Sequence, residues 1–237
     1  MSILRRPLDL SLVALFVVSA ASILVAHEDP FARDWLCANV PCFELPHPKF
    51  WYKVIYDLAV ASVTSLFFYW LVVRLPAYQR RQRIKRSLAA RYRQFKEDCI
   101  SVMLGVADGS YEGDLVETLV DQHKFRAYFK EKVSASETRF DAFLNKLDQG
   151  SLRELMTFLE ILRDEIVLVL GTTDIPSDEP FEFLKRLSAA IRSLRGTTLD
   201  YDETKPLERF IWEVFAGWDW IAGYRKRDIV QEMIDSM

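Results

Sequence analysis

Two apolar runs constrain this chain more than any other feature. Leu10 to Ala26 reads LSLVALFVVSAASILVA, seventeen residues without a charge. Leu58 to Val73 reads LAVASVTSLFFYWLVV, and it lengthens to twenty residues if it starts at Val54 and takes in Asp57. A membrane-spanning helix needs about 17–25 mostly apolar residues, so both runs approach or reach spanning length. Either run alone also fits a buried core helix. Two runs with ordered charges at their ends favour spans over that reading.

The charges are ordered. Arg5 and Arg6 precede the first run, and eight basic residues with no acidic one lie between Arg74 and Arg93. The connection between the runs mixes Arg33, Lys49 and Lys53 with Glu28, Asp29, Asp34 and Glu44. Basic residues collect on the cytoplasmic side of a membrane, which predicts an N-in, C-in hairpin. Trp35, Phe50, Trp51, Tyr52 and Tyr56 fit an outer aromatic belt, and Tyr69 and Trp70 an inner one. A rival reading makes the first run a signal peptide, but the possible cleavage site after Ala26 has Leu24 at the position that prefers a small residue.

The expected fold class is all-α: an N-terminal two-span transmembrane hairpin followed by a cytoplasmic helical bundle. The hairpin covers residues 1–76, with spans at about 8–26 and 54–74 and an outer loop at 27–53. A basic juxtamembrane collar follows at 77–93, then a cytoplasmic helical domain at 94–237. Cys37 and Cys42 fall in the outer loop, in CANVPC, where an oxidising compartment permits a disulfide. Two free thiols are the other reading. Cys99 is expected inside, reduced, on an apolar helix face.

Within the collar, Arg80, Arg81, Arg83, Lys85 and Arg86 are candidates for contact with anionic inner-leaflet lipids. Beyond it the balance reverses, with 18 basic and 28 acidic residues from Gln94 to Met237. Helical periodicity is continuous. Ile84, Leu88, Tyr92, Phe95, Cys99 and Met103 make one face. DLVE at Asp114–Glu117 predicts a helix toward Lys132, and SLRE at Ser151–Glu154 one running to Leu170. Ser177 should cap a helix ending near Arg195, and a last helix should start near Lys205 and Pro206. No strand alternation is sustained. Among the C-terminal aromatics, Trp212, Trp220 and Tyr224 are candidate partner contacts, with Trp212 off the main apolar stripe.

No residue pattern points to catalysis. His123 is the lone histidine outside the first 76 residues and has no arginine four to six residues upstream. There is no glycine-rich phosphate loop, and no cluster of ligands fits a metal or cofactor. Asp164 and Glu165 are adjacent and so face different ways on a helix, while Glu160 and Asp164 have Arg163 beside them. The expectation is a non-enzyme. The spans carry small and hydroxyl residues, Ser19, Ser22, Ala61, Ser62, Thr64 and Ser65. Such residues let helices approach closely, either within one hairpin or between copies.

The layout resembles the two-span effector proteins of bacterial retron anti-phage systems. The hairpin, the basic exit RRQRIKR (80–86), LEILRDEI (159–166), FLKRLSAAI (183–191), FIWEVFAGWDW (210–220) and YRKRDIVQEMID (224–235) carry the resemblance. It implies an inner-membrane toxin of abortive infection, held inactive by a reverse transcriptase with its single-stranded DNA–RNA product. The contact is expected to run through protein more than DNA, because the domain is acidic. A non-toxic membrane-anchored scaffold or adaptor is the alternative.

Overall fold

Among the described residues, proline opens the first two helices. Pro7 begins α1 (Pro7–Ala26) and Pro48 begins α2 (Pro48–Tyr69). At the first helical position the missing N–H would have had no partner anyway, and the fixed φ suits the helix. These elements come from a computed structural model that describes residues 7–26, 48–173, 175, 177–219, 221 and 223–237. Cys37, Cys42 and Trp220 lie outside the described residues, as do most of the expected outer loop and the N-terminal arginines.

The chain forms two compact units that divide after Arg80. In the first, α1 packs against α2, with Ser19 and Ala59 buried. A five-residue π-helical turn, Trp70–Arg74, follows α2 directly. Its signature is the Leu75 N–H reaching back to the Trp70 carbonyl. The turn explains how the helix survives Pro76. In an α-helix that ring would press on the carbonyl four residues earlier, and a π-turn widens the backbone there. The chain therefore continues as α3 (Leu75–Asp108) without restarting.

By length and composition, the helical stretch Lys53–Asp108 is long and apolar enough to cross a membrane. Ser11–Ile23 is a shorter apolar helix. Only 6% of the 18-residue apolar window in the long stretch is buried inside the structure, so that window is not part of a packed core.

In the second unit, Leu88, Tyr92, Phe95, Cys99 and Met103 of α3 are buried on one face, as their spacing predicts. The next stretch is two helices where the sequence reads as one: α4 (Gly113–Leu119) and α5 (Gln122–Lys130). Asp121 makes the break. Its extended backbone ends the first helix, and its carboxylate accepts the His123 and Lys124 amides at 2.9 and 3.0 Å to start the second. A capping box of Thr138 and Asp141 opens α6 (Arg139–Lys146).

Helix α7 (Gln149–Thr172) buries Leu152, Leu155, Leu159, Leu162, Ile166 and Val169. Asp148 caps it, not Ser151, whose amide donates to Asp148 at 2.7 Å. Helix α8 (Asp178–Ser193) follows Ser177 as expected, although the Ser177 side chain makes no capping bond. Helix α9 (Tyr201–Ala216) starts four residues before the Lys205–Pro206 pair, because Asp200 caps it by accepting the Asp202 amide. A two-residue antiparallel ribbon, β1 (Trp218–Asp219) and β2 (Gly223–Tyr224), and α10 (Ile229–Ser236) close the chain. One hydrophobic core runs through α3–α10 and includes the C-terminal Met237.

Candidate functional site

Three groups of residues stand out, one in the first unit and two in the second. In the first unit, Leu12 and Leu15 of α1 face Leu58, Ala61, Ser62 and Ser65 of α2 across an open groove of about 410 Å3. Ser62 and Ser65 thus share a face, and Thr64 lies off it. Three hydroxyls are satisfied within their own helices. Ser22, Ser62 and Thr64 donate to the Val18, Leu58 and Val60 carbonyls, each at 2.8 Å. These bonds reduce the cost of burying the three hydroxyls in an apolar setting.

The second group joins the collar to the C-terminus. Arg81 donates to the Met237 carbonyl and Lys85 to the Asp235 carbonyl. Cations suit the end of α10, where unpaired carbonyls concentrate negative partial charge. Two of the five candidate lipid contacts are therefore engaged by the chain itself. Arg83 and Arg86 are exposed in the same unit, and Arg80 is exposed in the first.

The third group continues along the same face of α3. Lys96 is 3% exposed, and its ammonium donates to the Val120 carbonyl at 2.6 Å and to Asp228 Oδ2 at 3.0 Å. The Tyr92 hydroxyl donates to the Asp228 carboxylate at 2.9 Å, and burial followed by the Asp228 charge pushes the phenol well above its ordinary pKa. Asp228 also caps α10 by accepting the Val230 amide at 3.0 Å and the Gln231 amide at 3.2 Å. Next to it, Gln122 donates to the Arg225 carbonyl at 3.0 Å and His123 Nε2 lies 3.1 Å from the Lys226 carbonyl. A cleft of about 260 Å3 remains between these groups.

Chemically this cluster holds the chain together. Its carboxylate is committed to a lysine, a phenol and two amides, and its lysine to a carboxylate and a carbonyl. No group of three or more metal-ligating side chains occurs among the described residues. Cys99 is buried, and burial raises its thiol pKa well above the ordinary value, so it is held as a neutral thiol.

The predicted aromatic contacts separate. Trp212, off the main apolar stripe and so expected at the surface, is half-buried, with its ring 4.7 Å from Phe140 and 6.2 Å from Phe125. Leaving the main stripe of α9 turned it toward α5 and α6 and away from solvent. Tyr224 sits edge-on to Trp218 at 4.6 Å, with Arg126 and Lys130 at 4.4 and 4.3 Å from its ring centre.

Sequence reasoning overlooked Lys96, Gln122 and Asp228. The available signal was Lys96 itself, a lone charge at a position of the Tyr92–Cys99–Met103 apolar face. Compared with protein-family models, curated proteins and solved structures, the chain matches none.

Proposed function

We propose that this chain is a membrane-integral effector of a retron anti-phage system, toxic when released from a reverse transcriptase bound to its single-stranded DNA–RNA product. The observation that carries the reading is an 18-residue apolar window in the helical stretch from Lys53, only 6% buried, followed by a basic collar and a packed helical unit. A helix with that composition finds a favourable solvent in a bilayer. The collar fixes orientation, with both termini in the cytoplasm of the bacterial inner membrane. The second unit supplies the surface on which a partner holds the effector inactive, and that contact is protein-mediated. Damage comes from self-association of hairpins, with no catalytic step.

The experiment is inducible expression of the chain alone and beside any retron reverse transcriptase, with its DNA product, encoded next to it. The reading expects growth arrest for the chain alone and relief by the pair. It also expects a reporter fused after Met237 to be active in the cytoplasm and one near Asn39 to behave as periplasmic. A membrane-bound chain that never arrests growth would point instead to the scaffold reading.

A further inference from the structure

Charge is unevenly distributed over the second unit. Segments 121–132 and 217–228 carry seven basic and four acidic residues, whereas the rest of 94–237 carries 11 and 24. The two segments pack on each other. Gln122 bonds the Arg225 carbonyl, His123 Nε2 meets that of Lys226, and Arg126 and Lys130 lie over the Tyr224 ring. All four acids are already committed. Asp121 caps α5, Glu131 pairs with Arg139 at 3.1 Å, Asp219 pairs with Arg225, and Asp228 pairs with Lys96 at 3.0 Å. Among the described residues, Arg126, Lys130, Lys226 and Arg227 are left without a carboxylate. The last three are exposed.

Arg126 is the most telling of these cations. It is half-buried, with its guanidinium 4.4 Å from the Tyr224 ring centre and Nη2 3.0 Å from His123 Nδ1. Its other terminal nitrogen, Nη1, is buried with no partner. One turn along α5, the Lys130 ammonium lies 4.3 Å from the same ring centre. Like charges four residues apart on a helix repel, and the ring offsets only part of that cost. A carboxylate from outside would offset the rest, and drawing the guanidinium onto it would give Nη1 a partner. The planar fork of an arginine matches the two oxygens of a carboxylate.

We infer that this face, built from α5 and the 224–227 strap, binds an acidic segment of a partner protein. Its limited extent selects the ligand. Charges are screened over about 8 Å at physiological salt, so a ligand confined to the face feels mainly its cations. A long nucleic acid or an anionic membrane would run beyond it, onto a surface where acids outnumber bases 24 to 11. Single-stranded nucleic acid also binds by stacking bases on aromatic rings, and the Tyr224 ring already serves Arg126, Lys130 and the edge of Trp218. The inference rests on the effector reading in one respect, that the partner is the protein holding the chain inactive.

The test uses the full chain in detergent, with Cys37 and Cys42 changed to Ser, buried Cys99 left in place, and an environment-sensitive dye on Ala127→Cys. Decaglutamate should change the dye signal saturably, and the same dye on Ala189→Cys in α8 should not respond. Lys130→Gln with Lys226→Gln, both at exposed positions that folding tolerates, should weaken binding about tenfold, the effect of one lost charged contact. Arg83→Gln with Arg86→Gln, in the collar, should leave it unchanged. Decathymidylate and phosphatidylglycerol vesicles should each bind more weakly at the same dye. Four results overturn the inference: no saturable response at 127, equal losses in the two variants, tighter binding of oligonucleotide or vesicles, or a signal that grows with chain concentration before peptide is added. In cells, Lys130→Glu with Lys226→Glu should stay toxic yet escape relief by the reverse transcriptase with its product, and full relief would also overturn it. A chain that never arrests growth sinks the effector reading instead, and the decaglutamate titration then decides this surface alone.

Discussion

Tyr92 and Asp228 join the longest helix to the last one. The phenol donates to both carboxylate oxygens, at 3.0 and 2.9 Å, across 136 residues of sequence. With Lys96 on the same carboxylate and Arg81 and Lys85 on the last carbonyls, one face of α3 grips the segment from Asp228 to Met237.

That grip gives the first prediction. Asp228→Ala removes the partner of a buried ammonium and a helix cap, and should cost roughly 3 kcal/mol. Lys96→Met added to Asp228→Ala should recover part of the loss, because no buried charge is left unpaired. Urea unfolding of the full chain in detergent measures both. A double variant less stable than Asp228→Ala alone would show that Lys96 contributes through something other than this pair.

Gly217 gives the second. Its φ is +66°, and a Cβ there would stand 1.7 Å from the Gln122 amide nitrogen. Gly109 also has a positive φ, +77°, but nothing lies near its missing Cβ. Both alanine substitutions incur the left-handed penalty of about 1–2 kcal/mol. Gly217→Ala should cost clearly more, since it also displaces Gln122 from the Arg225 carbonyl. Melting temperatures of the two variants, compared side by side, check the difference.

A third prediction concerns acid. Hydrogen bonds donated by the Lys124 and His123 backbone amides hold the Asp121 carboxyl below its ordinary pKa. A depressed carboxyl pKa contributes stability that is present above the unfolded value and lost as pH falls through the folded one. Asp121→Ala should lower stability by about 1 kcal/mol at neutral pH. Amide exchange in α5 should then show less acid-dependent weakening than in the wild type. Equal acid sensitivity in both would assign that weakening to other carboxylates.

Tyr128 titrates at the other end of the scale. Burial, together with its bond to Asp108 at 2.9 Å, pushes its phenol up to about 12. The neutral form is favoured, so its contribution is complete below the ordinary tyrosine pKa and lost as pH rises through the folded value. Ultraviolet titration should lose one late-ionising tyrosine on Tyr128→Phe. Asp108→Asn should bring the same transition down without abolishing it.

The packing of α1 on α2 sharpens a fifth prediction. Ser62→Leu with Ser65→Leu alters the groove facing α1, whereas Thr64→Leu changes a residue off that groove. If the proposed effector function holds, the double variant should insert normally and lose most toxicity. The Thr64 variant should remain toxic at equal membrane abundance. Reversed phenotypes would place the determinant of toxicity on the Thr64 side of α2.

Much of this architecture is legible in the sequence. The buried faces of α3 and α7 follow from spacing alone, because an amphipathic helix repeats its apolar positions every three or four residues. Helix starts are less legible. Ser151 and Asp148 are both good caps, and only the fold decides that Asp148 acts. Asp121 breaks a stretch whose apolar pattern continues across it. The two-residue strands around Ile221 are too short to show alternation, so nothing local announces the ribbon. Arg81 reads as a lipid contact because its partner, the Met237 carbonyl, lies at the far end of the chain.

The most direct measurement of the central claim is membrane potential in single cells after induction of the chain alone. Rapid depolarisation is expected, abolished by co-expressing a cognate retron reverse transcriptase with its DNA product and by Ser62→Leu with Ser65→Leu. Cells that keep full potential while accumulating membrane-inserted chain, with no partner present, would contradict it.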